Sequence, residues 1–345
     1  MAYRENELTA IVVPLTKGEI DRLNILFMLW STIEVVSRAQ ERDPLVGWGE
    51  LELIVSVDGW PDVSITNQIR DLFDAYQLER QFVDCRVNFC SINSEDNVYF
   101  RDDDREPLKV PMYGLKSGPN LQFFRTMRAC RSHNTVLLNE LDAYPIRVDW
   151  MSQLRRLTRG AESFWVLGSP YRGKGRLGPG LAHVNGNALY GVGLEGFSPF
   201  LRLWERLLLK ELRDNPGLPY DVVFSRYCAK FFDKNERMKR TNGEFLCFSR
   251  LLCKIRHTDY IHNLAGKYEF EYGGPKSIGQ YLTRNRSTVL IHGKPMEGAV
   301  LGYWKEEINS VSDRSERYEC KALWERAAER MEATGLGMSG ALIMA

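Results

Sequence analysis

Short apolar runs alternate with amphipathic segments along this chain of 345 residues. Residues 9–14 and 51–57 are dominated by aliphatic side chains and predict buried strands. Apolar residues recur at helical spacing over 20–33, so the chain opens with a β–α unit. Further helices are predicted over 65–79, 121–131, 150–159, 198–212, 219–232 and 313–333, and further strands over 82–92, 136–138, 163–167 and 287–292. This alternation predicts an α/β fold with a mainly parallel central sheet flanked by helices.

Neither an internal repeat nor a linker divides the chain. Residues 1–310 are therefore expected to form a single domain, long enough to bury a substantial core. Residues 311–345 are expected to form a charged C-terminal helix with a narrow apolar stripe, followed by a Gly-rich tail.

Charge and cysteine content exclude several classes of protein. Lys and Arg number 46 against 45 Asp and Glu, a net charge of +1, so no global field favours a nucleic-acid partner. The seven cysteines are odd in number and form no C-x-x-C pair, so neither a zinc ribbon nor a disulfide scaffold is indicated. A cytoplasmic protein is expected. No stretch is long and apolar enough to predict a transmembrane segment.

The segment 134–150 carries the most informative chemistry. An apolar run over 136–138 is followed, after Asn139, by Glu140 and Asp142 in alternate positions. On an extended chain these two carboxylates face the same side, while Leu141 packs away. Such a pair suits a hard divalent cation that shares its oxygen ligands with phosphate. The alternative is a strand end with two solvated acids.

Other polar residues are expected at the same edge of the sheet, where ligands of α/β proteins bind. Asp58 follows the strand over 51–57, and the short apolar strand that begins at Ser287 delivers His292 and Lys294 to one loop. The segment 183–190 places Asn185, Gly186 and Asn187, which are turn formers, just before an apolar strand; a plain hairpin turn is the alternative. The glycine-rich loop 168–180 lacks the spacing of a P-loop and is expected to be a mobile loop beside a site.

Basic residues concentrate over 226–256. Such a run is usual for a solvated face; contact with a membrane surface or with a polyanionic acceptor is the alternative.

Four features occur in order along the chain: the β–α opening, Asp58, the Glu140-Leu141-Asp142 motif, and the late His292-Gly293-Lys294-Pro295. Together they resemble the GT-A glycosyltransferases, which transfer a sugar from a nucleotide diphosphate donor. The resemblance covers roughly residues 8–296. It implies the Rossmann-like GT-A fold, a Mn²⁺ or Mg²⁺ cofactor, a nucleotide-diphospho-sugar donor, and a glycan or glycoconjugate acceptor.

The resemblance also implies a metal site. Glu140-Leu141-Asp142 is similar to the family's D-x-D motif, with Glu in the first position. Asp142 would be the main metal ligand, and Glu140 would bind the metal or contact the ribose or metal-bound water. The segment 292–295 is similar, in shortened form, to the H-x-G-x-K-P loop of glycogenin-type members. This similarity implies that His292 ligates the metal and that Lys294 contacts the diphosphate.

Donor contacts are implied for a further set of residues. The segment 183–190 resembles one found in polysaccharide-building transferases and would lie against the donor sugar or the acceptor. The residues implied to contact the nucleotide or the rest of the donor are Pro14, Leu15, Thr16, Asp58, Lys116, Ser117, Asn185, Gly186 and Asn187.

The expected chemistry is stabilisation of the leaving nucleoside diphosphate, which gains negative charge as the glycosidic bond breaks. An inverting enzyme would need a carboxylate to take the proton of the acceptor hydroxyl, and Asp221 is the candidate base. A retaining enzyme would not, and Asp221 would then cap a helix. Uridine diphosphate is favoured by family frequency, and guanosine diphosphate remains open.

Three other classes of protein compete with this one. A sugar-phosphate nucleotidyltransferase would resemble G-x-G-T-R after the first strand, and the segment 14–18 departs from it. A non-catalytic binding or assembly module could retain the fold and use the basic run, but loss of Asp142 or His292 would have favoured it, and both are present. A dehydrogenase is disfavoured because no G-x-G-x-x-G follows the first strand.

Overall fold

The computed structural model describes residues 6–40, 50–100, 110–170, 184–232, 251–263, 277–293 and 296–333. Its strands are β1 (Leu8–Leu15), β2 (Glu52–Val57), β3 (Asp84–Phe89), β4 (Thr135–Leu138), β5 (Ala143–Pro145), β6 (Val166–Pro170), β7 (Val184–Tyr190), β8 (Ile255–His257), β9 (Ile261–Asn263) and β10 (Leu290–His292). Its α-helices are α1 (Ile20–Ala39), α2 (Val63–Ala75), α3 (Ser117–Ala129), α4 (Trp150–Gly160), α5 (Phe197–Glu211), α6 (Tyr220–Phe232), α7 (Ile278–Arg284), α8 (Glu297–Ser310) and α9 (Arg314–Ala333).

The central sheet contains seven strands in the described part of the chain, in the order β3-β2-β1-β4-β7-β6-β8. Strands β3, β2, β1 and β4 run parallel to one another, and β8 runs parallel to β6. Strand β7 is antiparallel to both of its neighbours, β4 and β6. The predicted α/β class with a mainly parallel central sheet is therefore confirmed.

Both faces of this sheet are buried, which explains why its strands are apolar at successive positions. In β1, Ile11 and Val13 pack into a core that includes side chains of α1 and α9. Ala10 and Val12 point to the other face and pack with side chains of α3, α5 and α6. Successive residues of a strand face opposite sides, so a sheet covered on both sides needs an unbroken apolar run.

A second sheet has the order β5-β10-β9. Strand β10 lies in its centre, antiparallel to β5 and parallel to β9. The turn after β4 leads directly into β5, so this turn joins the two sheets. Side chains that project from this turn therefore lie where the two sheets meet.

The C-terminal helix α9 packs against α1. The buried Trp324 donates its indole N–H to the Thr32 hydroxyl at 3.0 Å, and Asn24 donates to the carbonyl oxygen of Ala327 at 3.2 Å. Helix α1 thus lies between the sheet and α9, which accounts for its apolar residues on all sides.

Within the described ranges, no helix combines the length and the apolar character needed to cross a membrane.

Candidate metal centre

Glu140, Asp142 and His292 converge at the junction of the two sheets. The Nε2 atom of His292 lies 3.1 Å from an Oε of Glu140 and 3.2 Å from an Oδ of Asp142. One ligand atom from each residue can be chosen so that all three lie within 4.8 Å of one another. The structure therefore brings together the three residues that the sequence predicted as metal ligands.

The two carboxylates reach this point from a turn, and not from an extended strand as expected. Strand β4 ends at Leu138, and the N–H of Ala143 donates to the carbonyl oxygen of Glu140 at 2.9 Å. The buried Asn139 closes the turn, because its side-chain amide donates to the carbonyl oxygens of Glu140 at 3.1 Å and Ala143 at 3.2 Å. The expectation that alternation along a strand would align the two acids was wrong; the turn aligns them.

His292 is held opposite this turn by the register of the small sheet. In the antiparallel pairing of β10 with β5, His292 faces Ala143. The next residue, Gly293, donates its N–H to the carbonyl oxygen of Asp142 at 3.0 Å and has a φ of +152°. Few L-residues adopt that conformation, so glycine suits this position.

The imidazolium of His292 and the two carboxylates stabilise each other's charged forms. Burial disfavours the imidazolium, but hydrogen bonds to Asp142 and Glu140 outweigh it and raise the pKa of His292 to about 10. Burial likewise disfavours the carboxylate of Asp142, yet its hydrogen bond to His292 holds the pKa of Asp142 below its ordinary value. Both carboxylates are thus placed to attract a positive charge, and in the absence of a metal that charge is a proton on His292.

Asn187 fixes the first carboxylate. Its side-chain oxygen accepts the backbone N–H of Glu140 at 2.7 Å, and its side-chain nitrogen donates to a carboxylate oxygen of Glu140 at 2.9 Å. The segment 185–187 was expected to form a turn, but it lies within β7, which begins at Val184. Propensity favoured a turn there; the pairing of Val184 and Ala188 with β6, on either side of a register shift, keeps the segment in the strand.

Gly186 lies beneath the same carboxylate. A Cβ atom at this position would lie 2.2 Å from the Tyr220 hydroxyl oxygen and 3.1 Å from a carboxylate oxygen of Glu140. Only glycine lets β7, α6 and the turn approach this closely.

A cavity of about 650 Å³ opens at the carboxyl ends of β1, β2 and β3. Its lining includes Thr16, Lys17, Asp58, Trp60 and Asn97. The buried Asp58 carboxylate accepts the backbone N–H of Lys17 at 3.2 Å and the side-chain amide of Asn97 at 2.6 Å. Because β1 and β4 are adjacent and parallel, this cavity and the metal cluster lie at the same edge of the central sheet.

The remaining predicted site residues lie in different surroundings. Pro14 and Leu15 form the end of β1, half-buried and buried respectively. Lys116 is half-buried before α3, and Ser117 is fully buried with its hydroxyl donating to the carbonyl oxygen of Asp96.

Asp221 lies in the first turn of α6, directly after Tyr220. Burial raises the pKa of Tyr220 well above its ordinary value, and the charges of Tyr190, Glu140 and Asp221 add to that rise. Asp221 and Glu140 therefore act on the same phenol.

Some predicted features fall outside the described residues. These are Lys294, His183, the loop beyond residue 170 and most of the basic run over 226–256. Asn185 is described only by its backbone, which belongs to β7.

Three amides at the site were missed by the sequence analysis: Asn97, Asn139 and Asn263. Asn139 directly precedes Glu140, and its position between an apolar strand and two acids was the one available signal. Asn97 and Asn263 depend on how distant strands and loops meet.

The donor set fits a divalent cation. Carboxylate oxygens are the ligands that Mg²⁺ and Mn²⁺ prefer, and an imidazole nitrogen is accepted more readily by transition metals than by Mg²⁺. Two carboxylates with one imidazole therefore suit Mn²⁺ better than Mg²⁺.

No protein-family model matches the chain, and no curated protein matches it. Solved structures that are similar to it include glycosyltransferases. The galactosyltransferase LgtC, in complex with donor and acceptor sugar analogues, has a TM-score of 0.45 at 11% identity, with 88% of this chain and 97% of LgtC covered.

Two other structures give similar values. GlyE of Streptococcus pneumoniae TIGR4 has a TM-score of 0.44 at 10% identity over 96% of this chain and 64% of its own. Mouse xyloside xylosyltransferase 1 has a TM-score of 0.40 at 11% identity over 83% of this chain and 97% of its own. At such values the similarity supports no conclusion about activity, which therefore has to be inferred from the residues of the site.

Proposed function

We propose that this chain is a metal-dependent glycosyltransferase of the GT-A type. It would transfer a sugar from a nucleotide diphosphate donor, with a UDP-sugar favoured over a GDP-sugar, to a glycan or glycoconjugate acceptor. The observation that carries the proposal is the convergence of Glu140, Asp142 and His292 at the sheet edge that also holds the Asp58 cavity. Residues 1–310 would form the catalytic domain, followed by the C-terminal helix and tail of 311–345.

The cavity is suited to the nucleoside. The Asp58 carboxylate already accepts two hydrogen bonds but has lone pairs left for an N–H of a base. Trp60 is 58% exposed at the rim and offers an aromatic face on which a base can stack. Thr16, at the end of β1, lines the same cavity and would contact the nucleotide.

The diphosphate would then lie at the cluster. Mn²⁺ held by Asp142, Glu140 and His292 would supply positive charge to the phosphate oxygens as the sugar leaves. Asn187 keeps the carboxylate of Glu140 in place through two hydrogen bonds, so that this residue does not have to reorganise during the reaction. Lys294, which follows His292 and Gly293 in sequence, would add a second positive charge against the diphosphate.

The acceptor side of the site is assigned to α6. If the enzyme inverts the anomeric centre, Asp221 would take the proton of the acceptor hydroxyl. Its position in the first turn of α6, directly after Tyr220, supports this assignment, because the Tyr220 hydroxyl and the Glu140 carboxylate both lie close to Gly186.

A cytoplasmic location belongs to the same proposal. It is supported by the free thiols of Cys85, Cys90, Cys130 and Cys320 in the part of the chain that the structure describes.

Calorimetric titration of UDP and GDP, each with and without Mn²⁺, tests the donor site. Wild type should bind one nucleotide tightly only when Mn²⁺ is present, and Asp142→Asn should lose that binding. Asp149→Asn makes the same chemical change at the start of α4 and should bind as wild type does.

A panel of nucleotide sugars, followed by mass spectrometry of the released nucleotide, would then name the donor. Binding of neither nucleotide by wild type under any condition would contradict the proposal. That result would favour a non-catalytic binding module instead.

A further inference from the structure

Asn263 lies beside His292 on the neighbouring strand of the small sheet. In the parallel pairing of β9 with β10, Asn263 is the partner of His292. Its side-chain oxygen lies 3.1 Å from the Nδ1 atom of His292. Asn263 is 2% exposed, so water cannot replace this contact.

The contact decides which nitrogen of His292 is available to a cation. A neutral imidazole carries one N–H and one lone pair, on different nitrogens. An N–H at Nδ1 donates to the oxygen of Asn263, and the lone pair is then on Nε2. That nitrogen is the one facing Glu140 and Asp142. The opposite tautomer would aim an N–H at the centre of the cluster.

The amide of Asn263 has no competing task in the described part of the chain. Its side-chain nitrogen is buried there without a hydrogen-bond partner. The contact with His292 is thus the one side-chain hydrogen bond found for Asn263 among the described residues. The backbone N–H of Asn263 faces the Ser169 hydroxyl at 3.5 Å, which ties this strand end to β6.

We propose that Asn263 is a positioning residue that fixes the tautomer and ring orientation of His292 for metal binding. The inference rests on the proposed metal site and adds a residue that is not itself a ligand. Asn187 holds Glu140 from one sheet, and Asn263 holds His292 from the other. Residues that orient metal-bound histidines in this way contribute substantially to metal affinity.

The test compares N263A and N263D in the full chain, titrated with Mn²⁺ alone. Removing the acceptor in N263A should weaken Mn²⁺ binding by about 10- to 100-fold. The carboxylate of N263D can only accept a hydrogen bond, so it preserves the tautomer and should keep affinity close to that of wild type. Asn67→Ala, an exposed position on α2, is the matched control and should bind as wild type does.

Pulsed electron paramagnetic resonance supplies a second readout that general destabilisation would not produce. Coupling of Mn²⁺ to a ring nitrogen should be present in wild type and N263D and absent in N263A. Because the side chain is buried, circular dichroism must show that N263A folds; N263L, which has similar volume and no acceptor, replaces it otherwise.

The outcomes separate the two proposals. Equal Mn²⁺ affinity and nitrogen coupling in wild type and N263A would overturn the role of Asn263 and leave the metal site intact. N263D as impaired as N263A would also overturn it. Failure of wild type to bind Mn²⁺ would contradict the proposed function, and this inference with it.

Discussion

Replacing Gly186 with alanine is expected to strain the candidate metal centre, and a second substitution should relieve that strain. The new Cβ would lie 2.2 Å from the Tyr220 hydroxyl oxygen, more than 1 Å inside ordinary contact distance. Tyr220 cannot easily yield, because its ring stacks on Phe123 with centroids 3.9 Å apart and its backbone N–H donates to Asn120 at 2.8 Å. Overpacking of this kind costs about 1–3 kcal/mol of the free energy of unfolding.

The strain should also reach the ligands. The same Cβ would lie 3.1 Å from a carboxylate oxygen of Glu140, so Gly186→Ala should weaken Mn²⁺ binding as well as stability. Urea unfolding followed by circular dichroism measures the first effect, and calorimetric titration of Mn²⁺ measures the second.

Tyr220→Phe supplies the control. In the double variant the hydroxyl is gone, and the nearest remaining ring atom, Cζ of residue 220, lies 3.3 Å from the new Cβ. Gly186→Ala should therefore cost much less stability when it is added to Tyr220→Phe than when it is added to wild type. The difference between these two costs, the coupling energy, should be about 0.5–3 kcal/mol. Equal stability of Gly186→Ala and wild type would contradict this prediction, and so would simple additivity of the two substitutions' effects on the free energy of unfolding.

Two further predictions concern stability away from the site. Thr32→Val should lower the free energy of unfolding by about 1–3 kcal/mol, because the buried indole N–H of Trp324 loses its acceptor. Thr32→Ser keeps the hydroxyl and loses only a buried methyl group, so it should lower stability less, and equal urea midpoints for the two variants would contradict this. Burial lowers the pKa of His133 in the folded protein, although Glu52 opposes the shift. The stability that this residue contributes is therefore fully present above its unfolded pKa of about 6.5 and is lost as the pH falls through its lower, folded-state pKa. His133→Gln should therefore flatten the decline in unfolding free energy between about pH 7 and pH 5, and an unchanged slope in urea titrations would refute the assignment.

The central sheet could be predicted from the sequence because burial on both faces leaves a strong signal. The apolar run over 9–14 has no polar alternation, and in the structure its residues feed the cores on both sides of β1. Periodicity also located α9, although its packing against α1 could not be derived from its own sequence. A local pattern shows that a face of an element is buried, but it does not show which other element packs against that face.

The candidate site was predictable in its residue types but not in its geometry. Glu140, Asp142 and His292 were identified by chemistry and spacing, yet the two acids converge through a turn that Asn139 closes. Asn263 carried no signal, because its relation to His292 exists only through the register of two strands of three residues each. Pairings between short, distant strands depend on the tertiary fold, which no local pattern encodes.

The junction of the two sheets has a consequence for how the chain reaches its final state. Glu140 and Asp142 leave the ribosome long before His292, so a growing chain carries an incomplete site until β10 docks between β5 and β9. A cation bound by all three would favour chains that extend past His292 over shorter fragments, because its binding free energy adds to the folding of the small sheet. At a free concentration of about 100 times its dissociation constant, that contribution is about 2.7 kcal/mol. Metal binding would then stabilise only those chains in which β10 has joined the small sheet.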